Sequence, residues 1–370
     1  MILVTVFLAG DVMTGRGVDQ VLPHPGDPRL REPHVRDARA YVVLAERVNG
    51  RIPRPVGFAW PWGAARRALD ELAPDVRLIN LETSITSRGK ADSRKRIHYR
   101  MSPENTPCLV EARPDVCVLA NNHVLDFGVQ GLEDTVDSLD EAGIAAVGAG
   151  SELARAARPA IVPVHDRGRV VVFAFGDRSS GVPRDWAATW DRAGVNRLPD
   201  LSDATADDVI AQVRQAKGLG DIVVASIHWG SNWGYEVPAE QVAFARRLVD
   251  GGVDVVHGHS SHHPRPIEVY RDRLILYGCG DLINDYEGIS GYEAYRDDLR
   301  VLYLATIDPV TGALARLRLL PMRAWRMRLQ HATPDDADHV RRVLDEVSRP
   351  FGSRVEHAAD GMLAVGGASS

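Results

Sequence analysis

Five short apolar segments, each ending in a polar residue of a type used in catalysis, constrain the fold of this chain most. Their Val, Ile, Leu and Ala residues follow one another without the alternation of a half-exposed strand, which is typical of strands buried on both faces. Helical patterns separate them, so the rhythm predicts a layered α/β fold. The five segments are residues 2–11, 75–82, 115–123, 221–228 and 254–259.

The helical patterns and the later strands complete this prediction. Apolar runs flank turn-forming residues at 166–168, 271–273 and 308–312, which indicates antiparallel hairpins and therefore mixed sheets. Residues 335–347 are predicted to form a C-terminal helix and residues 361–370 a loose tail. The predicted helices between the early strands are residues 62–72, 129–142, 206–217 and 239–250.

Composition excludes several classes of protein. The 44 Lys and Arg against 50 Asp and Glu give a net charge of −6, and no basic run offers a nucleic-acid face. No apolar run approaches the ~18 residues of a membrane span, and residues 2–10 lack the positive flank of a signal peptide. We therefore expect a cytoplasmic protein with no nucleic-acid or membrane partner. The three cysteines form no close pair and predict neither disulfides nor a thiolate metal site.

The polar residues at the strand ends predict a metal site. Carboxyl ends of parallel strands meet at one edge of a sheet, and ligands bind there. Carboxylate, amide and imidazole groups together suit a divalent cation. Four of the 13 histidines also fall within residues 257–263. The predicted ligands are Asp11, Glu82, Asn122, His228 and His259.

Six motifs in chain order strengthen this interpretation. They are Gly10-Asp11, Asn80-Leu81-Glu82, Asn121-Asn122-His123, His228-Trp229-Gly230, Gly258-His259-Ser260-Ser261-His262 and Gly280-Asp281. Over roughly residues 3–325 the chain thereby resembles the CapA family of capsule and poly-γ-glutamate synthesis proteins, a branch of the calcineurin-like metallophosphoesterases. The resemblance implies an α/β fold of the calcineurin-like kind, a four-layer α/β/β/α sandwich with two mixed sheets and metal at the strand ends.

Three departures from the calcineurin-like pattern bear on the metal count. Met13 stands where the Asp-x-His motif has its histidine, and Glu82 replaces the bridging Asp. The final Gly-His-x-His is stretched by one residue, to end at His262. Because a close metal pair needs a full set of ligands, we expect one divalent ion, Ca²⁺, Mn²⁺ or Mg²⁺, rather than two.

Two His/Asp pairs are candidates for proton transfer. His123 resembles the catalytic histidine of the family, and Asp126 follows three residues later as an orienting carboxylate. A histidine so oriented both takes and gives protons near neutral pH. His262 with Asp281 forms a second candidate pair on the opposite wall. The alternative for Asp281 is that it only fixes the geometry around a ligand.

Substrate contacts are predicted from cationic and aromatic residues beside the motifs. The forked guanidinium groups of Arg16 and Arg100 suit an anionic group of a substrate. Trp229 and Trp233 offer aromatic surface to an apolar group, with core packing as the alternative.

The sequence predicts a metal-dependent epimerase that inverts a Cα centre of a ribosomal precursor peptide, because soluble relatives of this kind include an enzyme of lasso-peptide biosynthesis. The alternative is a metallophosphoesterase or a hydrolase of γ-glutamyl polymer. A scaffold in polymer assembly is the least favoured of the three functions. Because the candidate residues run from Asp11 to Asp281, we predict one catalytic domain at 1–330, with residues 331–370 packed on it. The oligomeric state stays open.

Overall fold

The computed structural model describes residues 3–367, in which two β-sheets pack face to face between layers of helix. The strands of this range are β1 (Val4–Val12), β2 (Val76–Leu81), β3 (Ser84–Ile85), β4 (Arg100–Met101), β5 (Val116–Val118), β6 (Ala145–Val147), β7 (Ala149–Gly150), β8 (Ala160–Pro163), β9 (Arg169–Gly176), β10 (Gly194–Val195), β11 (Ile222–His228), β12 (Val255–His259), β13 (Ile267–Tyr270), β14 (Arg273–Leu276), β15 (Asp281–Ile283), β16 (Leu299–Ile307), β17 (Leu314–Ala324), β18 (Leu329–His331), β19 (Ser353–His357) and β20 (Leu363–Gly367).

The larger sheet has ten strands, with the main order β19-β20-β17-β16-β1-β2-β5-β6 and with β15 and β18 paired to β1 and β17. Strands β2, β5, β6 and β15 run parallel to their neighbours, while the β16–β20 side is antiparallel. The smaller sheet has the order β13-β14-β12-β11-β9-β8, with a parallel centre and antiparallel edges. Both sheets are therefore mixed, as predicted.

The α-helices cover the outer faces of the two sheets. On β9, Val171 and Phe173 pack against α7 and α8, whereas Val170 and Val172 belong to the core shared with the larger sheet. Helices α2, α3 and α5 pack their apolar residues against the larger sheet. The result is the four-layer α/β/β/α sandwich. The helices are α1 (Arg16–Asp19), α2 (Arg39–Asn49), α3 (Gly63–Leu72), α4 (Pro107–Val110), α5 (Gly128–Glu141), α6 (Leu153–Ala156), α7 (Asp203–Ala216), α8 (Ala239–Asp250) and α9 (Pro334–Ser348).

The predicted elements agree with these bounds to within a few residues, with two exceptions. The strand predicted at residues 115–123 ends at Val118, because the polar residues Asn121 to His123 leave the sheet to enter the site. The tail predicted at 361–370 is wrong where it is described, since β20 pairs with β17 and β19 and extends the larger sheet. Residue 2 and residues 368–370 of the predicted elements lie outside the described range. Within that range no helix has the length and apolarity to cross a membrane.

Candidate metal centre

The carboxyl ends of the central strands bring the candidate ligands to one rim between the two sheets. In the larger sheet Asp11 lies opposite Asn80 of β2 and also opposite Asp281 of β15. In the smaller sheet His228 lies opposite His259. Gly10 makes the approach of β15 possible, because an added Cβ there would lie 1.7 Å from the carbonyl oxygen of Gly280.

The larger sheet contributes three buried carboxyl groups. The Asn80 side-chain amide donates to Asp11 (2.7 Å) and to Glu82 (3.3 Å), which holds the two together. Burial, reinforced by the charge of Asp281, raises the pKa of Asp11 to about 7. Burial and the carboxylates of Asp11 and Asp281 raise the pKa of Glu82 well above its usual value. Such a concentration of negative charge favours a cation among these oxygens.

The smaller sheet contributes neutral imidazoles. The Nδ1 atoms of His228 and His259 lie 2.8 Å apart, and burial lowers the pKa of both rings well below the usual value. Nε2 of His228 lies 3.8 Å from Glu82 Oε1, and Nδ1 of His259 lies 3.9 Å from Asp11 Oδ1. A neutral imidazole with a free lone pair is the form that binds metal.

The donor atoms at this rim fit a divalent cation. Oδ1 of Asn122 and Nε2 of His228 are buried without a hydrogen-bond partner among residues 3–367, although buried polar atoms normally have one. Asp11, His228 and His259 can offer one ligand atom each to a common ion, and so can Asp11, His262 and Asp281. Both groups include Asp11, so they can belong to a single ion or to two adjacent ions. The expectation of one ion rather than two therefore stays a prediction.

His123 lies beside this cluster in a charged hydrogen-bond network. Its Nδ1 is 2.6 Å from Asp126 Oδ2, while its Nε2 is 3.8 Å from Glu82 Oε1. The Lys95 ammonium group contacts Asp126, and the backbone N–H of Tyr99 donates to the same carboxylate at 2.7 Å. Burial, reinforced by Lys95 and opposed by Asp126, lowers the pKa of His123 to about 4. The ring is therefore neutral, and an N–H directed at Asp126 leaves Nε2 as a proton acceptor.

His262 lies in a different electrostatic environment. Its Nδ1 is 3.0 Å from Asp281 Oδ1, and Asn284 donates to the other oxygen of Asp281 at 2.6 Å. Burial by itself would lower the pKa of His262, but the charges of Asp281 and Asp11 outweigh it, so the pKa is raised. His123 and His262 keep 7% exposure each, whereas Asp11, His228 and His259 have none, so these two imidazoles are the more accessible from solvent.

The structure buries two of the predicted substrate contacts. Arg16 is buried and donates to Asp285 (2.8 Å) and Glu32 (2.9 Å), so its guanidinium group joins internal elements. Trp229 is buried as well, because its indole N–H donates to the carbonyl oxygen of Tyr277 and its ring packs on Phe244. The alternative of core packing holds for Trp229.

The other two predicted contacts remain accessible. Trp233 is half-buried, with its ring 4.0 Å from that of Tyr292 and 5.3 Å from that of His262. Arg100 is half-buried and lines a cleft of about 450 Å³ together with Arg31 and Lys90. His98 and Arg100, the chain neighbours of Tyr99, line this cleft, and the ring of Tyr99 meets that of His123 edge-on at 4.6 Å.

Sequence reasoning missed several residues that shape the site. Tyr99 and Tyr286 form a hydroxyl pair (3.1 Å) beside His262, and Asn284 orients Asp281. Ser226 and His257 form hydrogen bonds behind His259. The position of Ser226 and His257 two residues before His228 and His259 was a usable signal, because residues two apart on a strand share a face.

The chain is similar to a known protein family, to individual bacterial proteins and to solved structures. A family model described as bacterial capsule synthesis protein PGA_cap matches residues 5–286. A probable polyglutamine synthesis accessory protein of Mycobacterium tuberculosis is 56% identical over 364 residues, which cover 98% of this chain and 96% of that protein. The PGA biosynthesis protein CapA of Bacillus subtilis is 31% identical over 62% of this chain and 58% of its own. A crystal structure of a 5′-nucleotidase precursor from Thermus thermophilus aligns over 94% of this chain and 59% of its own, with 15% identity and a TM-score of 0.41.

Proposed function

Because this chain belongs to the family of bacterial capsule synthesis proteins described as PGA_cap, we propose that it is a metal-dependent hydrolase of an anionic γ-glutamyl chain. The observation that carries the proposal is the joint position of a cation-binding residue set and the His123–Asp126 pair at one rim. The names of two relatives, one a polyglutamine synthesis accessory protein and one a PGA biosynthesis protein, support this substrate class.

The residues at the rim divide the work of such a reaction. Asp11, Glu82, Asn122, His228 and His259 would hold the cation, which when bound polarises the scissile group and activates water. His123 is neutral, and Asp126 fixes its ring, so Nε2 takes the proton of the attacking water. The same nitrogen then passes that proton to the leaving amine, as the histidine of an acyl-transfer triad does.

The cleft beside Tyr99 supports an anionic substrate. Arg31, Lys90 and Arg100 line it together with the acidic Asp27 and Glu32. Glu32 is already paired with Arg16, and the carboxylate beside Arg100 is that of Asp27, at 3.7 Å. Asp27 also pairs with Arg29, so it does not fully balance the charge of Arg100. Carboxylate groups of a γ-glutamyl chain would complete this pairing, because a guanidinium group binds a carboxylate through two parallel hydrogen bonds.

The test is hydrolysis of a defined γ-linked glutamate oligomer by Mn²⁺-loaded protein, measured as new amino groups and shorter products by mass spectrometry. Asp11→Asn should abolish the activity. Asp166→Asn makes the same chemical change at an exposed loop residue with a left-handed backbone that Asn tolerates, and it should leave the rate unchanged. If the loaded protein leaves the oligomer intact but cleaves a phosphodiester such as bis-(p-nitrophenyl) phosphate, the substrate class is wrong. If it cleaves neither, hydrolysis is wrong.

One observation favours epimerisation of a peptide as a second candidate. The environments of His123 and His262 move their pKa values in opposite directions, which is the pattern of a paired base and acid. His123 would remove a Cα proton, and His262 would deliver one to the opposite face. Incubation of a peptide in D₂O distinguishes this reaction, because it predicts deuterium at Cα with an unchanged chain length. An unlabelled Cα under conditions of full metal loading would eliminate it.

A further inference from the structure

A chain of hydrogen bonds leads from the candidate ligand His259 into the core between the two sheets. Ser226 Oγ lies 3.0 Å from His259 Nε2 and 3.0 Å from His257 Nδ1. His257 Nε2 lies 2.9 Å from the carbonyl oxygen of Ala9 in β1. All these residues are completely buried. Ser226 and His257 are direct neighbours across β11 and β12, two register positions behind His228 and His259.

The carbonyl group of Ala9, at the inner end of this chain, determines where every proton in the chain lies. The Ala9 carbonyl only accepts, so His257 must carry its proton on Nε2. His257 is neutral, because its hydrogen-bond partners within residues 3–367 are a hydroxyl and a carbonyl, and an unpaired buried charge is costly. Its Nδ1 therefore accepts from the hydroxyl of Ser226. With that single proton used, Ser226 Oγ must accept a proton from Nε2 of His259.

The chain thus determines which nitrogen of His259 faces the metal centre. With the proton on Nε2, the lone pair of a neutral ring is on Nδ1, the atom 3.9 Å from Asp11 Oδ1. In the metal-free protein His228 Nδ1, 2.8 Å away, can donate its proton to this atom, and a cation bound at His259 Nδ1 would replace that hydrogen bond. With its proton on Nδ1, His228 keeps its own lone pair on Nε2. That nitrogen is the buried atom for which the described part of the chain supplies no partner.

We propose that Ser226 and His257 are positioning residues that hold His259 in the Nε2–H tautomer and so present its Nδ1 lone pair to a divalent cation. The inference rests on the metal centre of the proposed function and is independent of the reaction carried out there. Without the Ser226 hydroxyl, His259 can move its proton to Nδ1 and direct it at Nδ1 of His228, 2.8 Å away. The proton then occupies the place of the cation.

The direct test is the ring tautomer in metal-free protein with ¹⁵N-labelled histidine, read from long-range ¹H–¹⁵N correlations. We expect His257 and His259 both to carry the proton on Nε2. A charged His259 ring, or one protonated on Nδ1, in the wild-type protein would overturn the proposal. This measurement needs no variant, so it stands even if a substitution prevents folding.

The second test is Mn²⁺ affinity by calorimetry. Ser226→Ala and His257→Phe should each weaken binding by about 10- to 100-fold, the loss typical of residues that orient a metal ligand. His257→Gln keeps a donor for Ala9 and an acceptor for Ser226, so it should bind more tightly than His257→Phe. Ser353→Ala removes another fully buried serine hydroxyl, far along the chain on β19, and should bind like the wild type.

Wild-type Mn²⁺ affinity in folded Ser226→Ala would refute the proposal, as would equal affinities of His257→Gln and His257→Phe. Failure of the proposed hydrolase is a separate outcome. It would appear as metal-loaded protein with no turnover, whereas failure of this inference would appear in the tautomer and in the affinity.

Discussion

The two sheets end at the same rim but bring opposite chemistry to it. The larger sheet supplies Asp11, Glu82 and Asp281, whose mutual repulsion and burial raise the pKa of Asp11 and Glu82. The smaller sheet supplies His228 and His259, whose burial keeps them neutral. The carboxylate half of the site, from the larger sheet, is therefore destabilised by its own charge. The imidazole half, from the smaller sheet, is oriented by hydrogen bonds. A cation would relieve the first half and use the lone pairs of the second.

The largest expected effect comes from removing the charge that both ligand groups share. Asp11→Asn should abolish turnover and weaken Mn²⁺ binding on the order of 10³-fold, beyond the roughly 10- to 100-fold loss of a residue that only supports a ligand. The metal-free variant should nevertheless melt at a higher temperature than the metal-free wild type above pH 7, because a buried repulsive charge is gone. Calorimetry and thermal unfolding measure the two effects. An Asp11→Asn protein that binds Mn²⁺ like the wild type would show that the carboxylate half is not the metal site.

The second-largest expected effect concerns His123, whose imidazole lies beside the carboxylates of the larger sheet. His123→Gln should reduce kcat by about 10²- to 10⁴-fold, the usual contribution of a general acid or base. Mn²⁺ affinity should stay within a few-fold of the wild type, since His123 belongs to neither candidate ligand group. Steady-state rates on the γ-glutamyl oligomer and calorimetry on the same protein check this pair of outcomes. A large loss of affinity would instead make His123 a ligand.

The sequence predicted the rim better than its surroundings. The βα rhythm is a periodic signal, so the strands and the strand-end residues Asp11, His228 and His259 could be placed without coordinates. The His123–Asp126 contact could be predicted because the two residues lie only three positions apart, within one turn. Contacts between distant segments carry no such signal.

Arg16 and Trp229 illustrate what could not be predicted. Arg16 pairs with Asp285, 269 residues away, so its sequence neighbours give no hint that its charge is already balanced. Trp229 directly follows the ligand candidate His228, but its side chain points to the opposite face of the strand and packs on α8. The C-terminal tail that was predicted to be loose shows the same limit. Residues 363–367 form a strand because they pair with β17, a contact that their own sequence does not indicate.

The carboxylate half and the imidazole half should also make the stability of the metal-free protein depend on pH in opposite directions. The pKa of Asp11 is raised from about 4 to about 7, so its folded form holds a proton longer and metal-free stability falls as pH rises through this window. The pKa of His257 is lowered to about 4 by burial, so its contribution is lost as pH falls from about 6.5 to 4. At about 1.36 kcal/mol per pKa unit, the contribution is at most ~4 kcal/mol for Asp11 and ~3 kcal/mol for His257.

Urea unfolding in EDTA across pH 4 to 8 measures this difference. The stability of Asp11→Asn relative to the wild type should increase with pH, and that of His257→Phe relative to the wild type should increase as pH falls. Parallel curves for the wild type and either variant would show that the residue concerned does not titrate as its environment implies.

The smallest expected effect separates the two tryptophans of the imidazole half. Trp233 stacks on Tyr292 next to the accessible His262, so Trp233→Ala should raise KM about 3- to 10-fold with kcat nearly unchanged, corresponding to an aromatic contact of about 0.5–1.5 kcal/mol. Trp229→Phe should leave KM unaltered and lower the free energy of unfolding by about 1–2 kcal/mol, because it leaves the Tyr277 carbonyl without its indole donor. Steady-state kinetics and urea unfolding of both variants check the contrast. If Trp229→Phe changes KM while Trp233→Ala does not, the substrate approaches the imidazole half from the α8 side. Trp229, and not Trp233, would then be the tryptophan that contacts it.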